Sequence, residues 1–413
     1  MVRFIYNIVM QVAMLAARIV ALWKPKVKLF VDGRKGLLDR IEQACGKEKD
    51  IIWFHTSSYG DFEEGRPIID ETRKRYPDAK ILLTFFSPAG YEMRKSYKSV
   101  DWVFYLPMDN SRNVRRFLDI VRPKKAIFTL GEYWYNYLTE LRERKIDTYV
   151  MSVRVLPSSP YLKWYGFLHR SLFRTCYKRI IVKDAVTENL LHSIGATAAI
   201  KVGDARFDRV LDIANEPWSD PVVEKWACGK KVFIAGSTCE GDDDIVLATA
   251  ARHPEMKFLF IPHELFPEPV LHIKAEAKHG CAIYTETNPD DAALESAQIL
   301  VINKVGLLAR VYRYGFASYI GGGFINMPHS VIEPAVYGLP VGMGPQYQRD
   351  LHFVDLLEMG AGASFKNADE FEAWYDKLVS DKAFLDDASR KAAAYCAENK
   401  GATDTIMNLI FGD

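Results

Sequence analysis

The chain has 413 residues, of which 49% are hydrophobic and 26% charged. This composition excludes a disordered protein, and the length suffices for two ordinary α/β domains. Its six cysteines lie far apart with no CxxC pair, which excludes a sequence-readable zinc cluster or disulfide framework and favours reduced cytosolic thiols. Residues 1–205 carry 35 Lys+Arg against 22 Asp+Glu, and residues 206–413 carry 19 against 31, so the basic half is expected to meet a phosphorylated substrate or an anionic membrane rather than a nucleic-acid polymer.

The N-terminal segment 4–22 is almost entirely apolar and leads into the basic residues Lys24, Lys26 and Lys28. No small-residue cleavage site follows it, so a cleaved signal peptide is not expected. Its polar residues Asn7, Gln11 and Arg18 fall on one narrow stripe of a helix, with Arg3 beside them. The pattern favours a helix lying in the membrane interface; a spanning helix and a core helix of a soluble fold are the alternatives.

Short apolar runs then alternate with helix-length polar stretches, a pattern typical of parallel, doubly wound sheets. The predicted strands of the first series are 51–55, 81–86, 103–106, 126–130 and 148–153, and those of the second series are 232–235, 258–261, 299–302, 317–320 and 341–344. The composition changes from basic to acidic between the two series, near 203–218. We therefore predict an anchor helix at 1–23, an N-terminal Rossmann-like domain at 24–205, a linker at 206–218 and a C-terminal Rossmann-like domain at 219–413, with the two domains facing a cleft.

Ligands of open α/β sheets bind beyond the carboxyl ends of the strands, so the loops there are the candidate sites. The first is the small, hydroxyl-rich loop at 55–67, in which Asp61 directly follows Gly60. A carboxylate in that position can act as a general base. Placement at the start of the next helix also predicts a low pKa, and the alternative role for Asp61 is simply to cap that helix.

The second candidate loop, 235–241, contains Gly236, Ser237 and Thr238 and opens a helix, which together can supply donors to a phosphate. No Gly-Lys-Ser/Thr follows, so it is not a P-loop. The acidic run at 242–244 is expected to occupy the first turn of the helix rather than to bind a metal.

The third candidate combines three consecutive glycines, Gly321, Gly322 and Gly323, with His329, Ser330 and Glu333 and a second glycine-rich stretch at 338–345. Glycine backbone and a helix N-terminus can face a phosphate, while Glu333 can accept hydrogen bonds from ribose hydroxyls. This pattern predicts a site for a nucleotide sugar.

The order of these motifs resembles the 3-deoxy-D-manno-octulosonic acid (Kdo) transferases, membrane-associated inverting glycosyltransferases that move Kdo from CMP-Kdo to the lipid A precursor. The resemblance extends over the whole chain and includes the stretches 31–36, 55–67, 131–136, 152–154, 203–208, 236–238 and 329–344. It implies a GT-B fold with an acceptor site in the N-terminal domain (24–205) and a CMP-Kdo site mainly in the C-terminal domain (219–413). It also implies no metal, no other cofactor and a location on the cytoplasmic face of the bacterial inner membrane.

The resemblance also assigns residues. The implied catalytic base is Asp61, where the family usually has Glu. The implied CMP-Kdo residues are Gly236, Ser237, Thr238, Gly321, Gly322, Gly323, His329, Ser330 and Glu333, and the acceptor residues are Ser58, Gly60, Arg66, Glu132 and Arg154. Further departures from the family pattern are Cys239 in place of His, Ser330 in place of Asn and Ser152 in place of Asn.

The leading hypothesis is therefore Kdo transfer from CMP-Kdo to a lipid A precursor (lipid IVA) with inversion. One alternative is a GT-B enzyme that uses another nucleotide sugar, or a sugar epimerase of similar architecture. The other is a catalytically silent, membrane-bound lipid A-binding protein, which the replacement of Glu by Asp61 keeps open.

Overall fold

A computed structural model describes residues 2–131, 133–265, 267–291, 293–325 and 327–412. The chain forms two compact units, the first comprising Met1–Arg206 with Gly401–Asp413 and the second Phe207–Lys400. Each unit is built around its own seven-stranded parallel sheet. Two doubly wound α/β units confirm the predicted fold class.

The sheet of the first unit has the order β3-β2-β1-β4-β5-β6-β7, with every neighbouring pair parallel. Its strands are β1 Ile51–Thr56, β2 Ile81–Phe85, β3 Trp102–Tyr105, β4 Pro123–Thr129, β5 Asp147–Val153, β6 Arg179–Val182 and β7 Ala199–Lys201. The central strands are apolar on both faces because helices cover both sides of the sheet, as parallel sheets require. The order in which successive strands are added to the sheet reverses between β1 and β4, so the loops after these two strands are neighbours.

The sheet of the second unit has the order β10-β11-β9-β8-β12-β13-β14 and is also parallel throughout. Its strands are β8 Val232–Thr238, β9 Lys257–Pro262, β10 Cys281–Ile283, β11 Ile299–Val301, β12 Gly315–Ile320, β13 Val341–Met343 and β14 Gly362–Ser364. Here the reversal lies between β8 and β12. The loops after β8 and β12, which the sequence singles out, therefore lie side by side.

The α-helices of the first unit are α1 Val2–Val20, α2 Pro25–Asp32, α3 Leu37–Cys45, α4 Tyr59–Arg75, α5 Pro88–Arg94, α6 Ser111–Val121, α7 Tyr135–Glu143, α8 Phe167–Thr175, α9 Ala185–Ser193 and, from the end of the chain, α19 Ala402–Phe411. The chain passes into the second unit at the start of α10 Arg206–Asn215. The other helices there are α11 Pro221–Ala227, α12 Asp242–Arg252, α13 Pro267–Glu276, α14 Leu308–Val311, α15 Ile332–Ala335, α16 Leu351–Glu358, α17 Ala368–Ser380 and α18 Lys382–Glu398.

The observed division of the chain differs from the predicted one in two places. Residues 206–218, predicted as a linker, begin with helix α10, whose Phe207 is fully buried in the core of the second unit. Residues 401–413, predicted to belong to the C-terminal domain, lie with the first unit. There α19 packs against α4 through Ile406, Met407 and Ile410, because this face of the helix is apolar and fills the outer layer of the first sheet.

Helix α1 lies against the first unit through the polar residues of its N-terminal half. The Tyr6 hydroxyl donates to Asp109 at 2.7 Å, the Arg3 guanidinium to Glu140 at 2.8 Å and the Asn7 amide to Ser111 at 2.8 Å. No residue of α1 is buried, so it is not a core helix. Among the described residues, α1 is the one helix long and apolar enough to cross a membrane, with a mean hydropathy of 1.4.

Candidate functional site

The candidate residues of the first unit lie at the reversal between β1 and β4. Ser58 precedes α4, and its side chain accepts a hydrogen bond from the Asp61 amide at 3.2 Å, while the Asp61 carboxylate accepts one from the Ser58 amide at 2.9 Å. This is a capping box, with Ser58 as the cap and Asp61 as the third helical residue. Asp61 therefore does cap the start of α4, as the alternative interpretation predicted. Any role in catalysis must be compatible with these two hydrogen bonds.

The electrostatics of Asp61 differ from the prediction. Burial raises its pKa above the ordinary aspartate value, and the hydrogen bonds to Ser58 offset this only in part. The predicted low pKa is wrong, because the half-buried position of the carboxyl outweighs the helix N-terminus. A raised pKa makes Asp61 a stronger base than an exposed aspartate.

The two neighbouring acids are held by cations. Glu63 contacts Arg66 at 3.3 Å and Arg94 at 2.9 Å. Glu64 contacts Lys183 at 2.6 Å and Arg206 at 3.1 Å. Both carboxylates are thus already engaged by cations of the first unit. Of the three acids in this loop, Asp61 is therefore the one suited to general-base chemistry.

The other predicted acceptor residues differ in their positions and in what surrounds them. Gly60 is exposed at the start of α4, and the half-buried Arg154 directly follows β5. Arg66 is turned toward acids of its own helix, since it contacts Asp70 at 3.5 Å as well as Glu63. Glu132 lies outside the described residues.

Strained backbone marks three strand ends of the candidate sites. Leu130 after β4, Ser152 within β5 and Ser237 within β8 have φ angles of 61°, 58° and 51°, in the left-handed region that residues with a Cβ rarely adopt. Such conformations cost about 1–3 kcal/mol each and cluster at functional sites. Ser152 and Ser237 are both polar residues that the resemblance to the Kdo transferases singles out.

In the second unit, the loops after β8 and β12 are joined by Asp242. This carboxylate has no solvent exposure and accepts hydrogen bonds from the Gly322 amide at 2.8 Å, the Cys239 amide at 2.9 Å and the Tyr319 hydroxyl at 2.7 Å. The sequence placed Asp242 in the first turn of a helix, which is correct, but missed this connection. No local pattern distinguishes it from the other acids of the run.

The three glycines allow close contact between backbone segments. A Cβ on Gly321 would lie within 2.5 Å of the 237–238 backbone, and one on Gly323 would lie 2.6 Å from the Gly344 nitrogen. The Gly321 amide donates to the Gly236 carbonyl at 3.0 Å, and the Gly322 amide donates to the Asp242 carboxylate. These two amides therefore serve the packing of the unit rather than a phosphate.

His329, Cys239 and His263 form a small cluster beside the same loops. The His329 and His263 rings stack with centroids 4.3 Å apart, and the Cys239 sulfur lies 3.8 Å from His329 Nε2. Burial and the neighbouring His263 lower the pKa of His329 to about 4, so it is neutral at pH 7. A neutral imidazole can accept or donate a hydrogen bond but adds no charge to the site.

Glu333 is the second residue of α15, and Ser330 precedes that helix; both side chains are half-buried. The negative charge of Glu333 is near the buried phenol of Tyr312, whose pKa is raised mainly by burial. A Cβ on Gly236 would lie 2.1 Å from the same phenol oxygen. Tyr312 thus connects Gly236 with Glu333, which brings the second and third sequence motifs together.

Comparisons with known proteins agree with this arrangement. The family model of 3-deoxy-D-manno-octulosonic-acid transferase matches residues 31–209. The Kdo transferase of Haemophilus influenzae is 23% identical over 376 residues, covering 87% of this chain and 86% of the relative. That of Aquifex aeolicus is 25% identical over 347 residues, covering 81% and 87%. The chain is thus similar to Kdo transferases over most of its length.

These similarities identify the protein as a glycosyltransferase. A bifunctional glycosyltransferase/methyltransferase of Fusobacterium nucleatum is 24% identical over 396 residues, but this chain spans 59% of its length. Among solved structures, UDP-GlcNAc 2-epimerase from Neisseria meningitidis has a TM-score of 0.60 at 14% identity, covering 89% of this chain and all of that one. At this identity the likeness concerns the fold alone, and it agrees with the predicted GT-B class.

Proposed function

We propose that this protein transfers Kdo from CMP-Kdo to a lipid A precursor, lipid IVA, with inversion at the anomeric carbon. The observation that carries the proposal is the pair of loop clusters at the two sheet reversals: one has a carboxylate of raised pKa, and the other is a glycine-rich cradle. The first suits activation of an acceptor hydroxyl, and the second suits a nucleotide sugar.

In the proposed donor site, the CMP phosphate lies against the loops after β8 and β12. Ser237 and Thr238 offer hydroxyl groups, and His329 and Ser330 border the same loops. Gly321, Gly322 and Gly323 let the neighbouring backbone segments approach closely and so shape the site. Asp242 fixes the distance between the two loops through its three hydrogen bonds. Glu333 accepts hydrogen bonds from the ribose hydroxyls of CMP.

In the proposed reaction, the Asp61 carboxylate removes the proton of an acceptor hydroxyl while that oxygen attacks the anomeric carbon of Kdo. The bond between this carbon and the CMP phosphate oxygen breaks on the opposite side, and CMP leaves with the electron pair. One displacement inverts the configuration, and no covalent enzyme intermediate forms. Arg154 and the positive charge of residues 1–205 favour the phosphates of the acceptor.

We place the protein on the cytoplasmic face of the inner membrane. The polar contacts of Arg3, Tyr6 and Asn7 hold α1 along the first unit, while apolar residues such as Phe4, Val12 and Leu15 are 58–70% exposed. This division of faces suits a helix lying in the interface. The basic residues that follow α1 add attraction to anionic lipids of about 1 kcal/mol for each charge.

Deletion of residues 1–23 should move the protein from the membrane fraction to the soluble fraction. The reason is that no residue of α1 is buried, so its loss removes apolar surface from contact with lipid without opening the core. Fractionation of cells and circular dichroism of the truncated protein measure both effects. An unchanged distribution would contradict a role of α1 in anchoring.

Replacing Glu333 with glutamine should weaken CMP binding about tenfold or more, because hydrogen bonds to a charged acceptor are worth about 1.5–3 kcal/mol. Calorimetric titration with CMP measures the effect. Glu286→Gln is the matched control, since Glu286 lies in the same unit, in a turn after β10, and should leave CMP affinity unchanged. Wild-type affinity in Glu333→Gln would remove Glu333 from the donor site.

The function is tested by incubating the full chain with CMP-Kdo and tetraacylated lipid A precursor and measuring CMP release and the mass of the lipid product. A mass increase of one Kdo unit with release of CMP supports the proposal. CMP-Kdo turnover only with a different acceptor, or turnover of another nucleotide sugar only, would replace the substrate. Acceptor binding without turnover would indicate a silent lipid A-binding protein.

A further inference from the structure

A groove of about 500 Å³ separates the C-terminal half of α1 from the body of the first unit. This volume falls within the range of about 300–1,000 Å³ that is typical of ligand pockets. Each wall carries apolar side chains: Met10, Met14 and Leu15 on α1, and Leu37, Leu38 and Met108 on the opposite side. Polar side chains, among them Gln11, Asn110 and Asn113, line the rest of the groove. The apolar part of the lining suits a hydrocarbon chain, and the polar part suits a headgroup.

Arginines stand at the rim of the groove. Arg18 projects from α1 with no acidic partner in the part of the chain that the structure describes, and it is exposed. Arg116 lies across the groove and contacts Glu42 at 3.1 Å and Asp39, whose carboxylate also faces the groove. Arg34 forms part of the wall, but its guanidinium donates to the Leu106 and Phe86 carbonyls. Arg18 is therefore the cation best able to meet an anionic group.

The two halves of α1 are held differently. The N-terminal half is fixed by the hydrogen bonds of Arg3, Tyr6 and Asn7. In the C-terminal half, Gln11 and Arg18 donate no hydrogen bond to the rest of the first unit among the described residues. The groove separates this half of the helix from the unit, so the two do not pack closely. A ligand in the groove would supply the contacts that this half of the helix lacks.

We propose that the groove holds one acyl chain of an anionic phospholipid, with the lipid phosphate beside Arg18. The inference rests on the membrane association included in the proposed function. Its support is that one side of α1 lines the groove while the other exposes Ile8, Val12 and Ile19, so a helix lying in the interface brings the groove to the lipid surface. The exposed Lys24, Lys26 and Lys28 favour anionic over zwitterionic headgroups.

The test uses the full chain in detergent micelles and native mass spectrometry, with equal amounts of phosphatidylglycerol and phosphatidylcholine and no donor or acceptor. The wild-type protein should retain one phosphatidylglycerol molecule per chain in preference to phosphatidylcholine. Arg18→Gln should weaken retention about tenfold, because it removes a charge-assisted contact to the phosphate. Lys124→Gln, which removes an exposed cation at the start of β4, outside the groove lining and the basic segment after α1, is the matched control and should retain the lipid.

A second pair of variants tests the hydrocarbon part. Leu38→Trp should fill the groove and abolish retention, whereas Leu29→Trp, at a 48% exposed position outside the lining, should not. A melting curve shows whether Leu38→Trp folds; if it does not, the comparison of Arg18→Gln with Lys124→Gln decides.

Three outcomes would overturn the proposal: equal retention of both lipids, retention unaffected in Arg18→Gln, or one-for-one displacement of phosphatidylglycerol by the lipid A precursor, which would make the groove part of the acceptor site. Because retention is measured without CMP-Kdo, it is independent of whether the protein releases CMP.

Discussion

Asp61→Asn should lower kcat by about 10²–10⁴-fold with little change in CMP-Kdo affinity, since this is the usual cost of removing a positioned general base. The substitution is nearly isosteric. The asparagine oxygen can still accept the hydrogen bond from the Ser58 amide, so the start of α4 should remain folded. The loss would therefore report the missing proton acceptor rather than a damaged helix. Single-turnover kinetics with CMP-Kdo and the lipid A precursor measure it.

The pH dependence provides a second readout of the same residue. A general base must be ionised, so the rate falls as the pH drops through its pKa. Because burial raises the pKa of Asp61, the acidic limb of the kcat profile should lie above the value of about 3.9 expected for an exposed aspartate. An acidic limb at or below that value would contradict Asp61 as the base.

Two further variants separate Asp61 from its neighbours. Asp61→Glu restores the side chain usual in the family and should retain or increase activity. Glu63→Gln should leave the rate within a few-fold of wild type, because the structure places Glu63 between Arg66 and Arg94. If Glu63→Gln were inactive and Asp61→Asn active, the base would be Glu63.

The sequence predicted ten of the fourteen strands and the loops that follow them, because buried parallel strands are continuous apolar runs whose carboxyl ends share one edge of a sheet. It missed β6, β7, β10 and β14, which lie at or next to a sheet edge. Strands β7, β10 and β14 have three residues each and at most one β-branched residue, so they do not stand out from the segments around them. The position of the candidate loops was thus predictable, while these outer strands were not.

Properties that depend on distant packing could not be predicted either. The pKa of Asp61 depends on how far the protein covers its carboxyl, and the role of Asp242 depends on the Gly322 amide 80 residues away. The sequence of α19 shows an apolar face, but its residues do not indicate which of the two sheets that face packs against. In each case the local pattern was correct and its partner was unknown.

The charge network around Lys183 leads to the second large effect. The Lys183 side chain is 7% exposed, and its ammonium lies 2.6 Å from Glu64 and 3.0 Å from Asp204. Lys183→Met would leave both carboxylates in their buried positions with Arg206 as the remaining cation. Removing one partner of a buried ion pair typically costs about 3–5 kcal/mol, so the free energy of unfolding of the first unit should fall by about that amount.

Urea titration followed by hydrogen exchange measures this loss for each unit separately. Peptides from β6 should lose protection at lower urea in Lys183→Met, while peptides from β12 in the second unit should not. Lys178→Met is the matched control, because its ion pair with Asp147 is on the surface and such pairs contribute about 0–1 kcal/mol. Since Glu64 lies one turn beyond Asp61, loosening this network should also lower kcat while CMP affinity is kept. Equal destabilisation by the two substitutions would show that the buried network does not hold the start of α4.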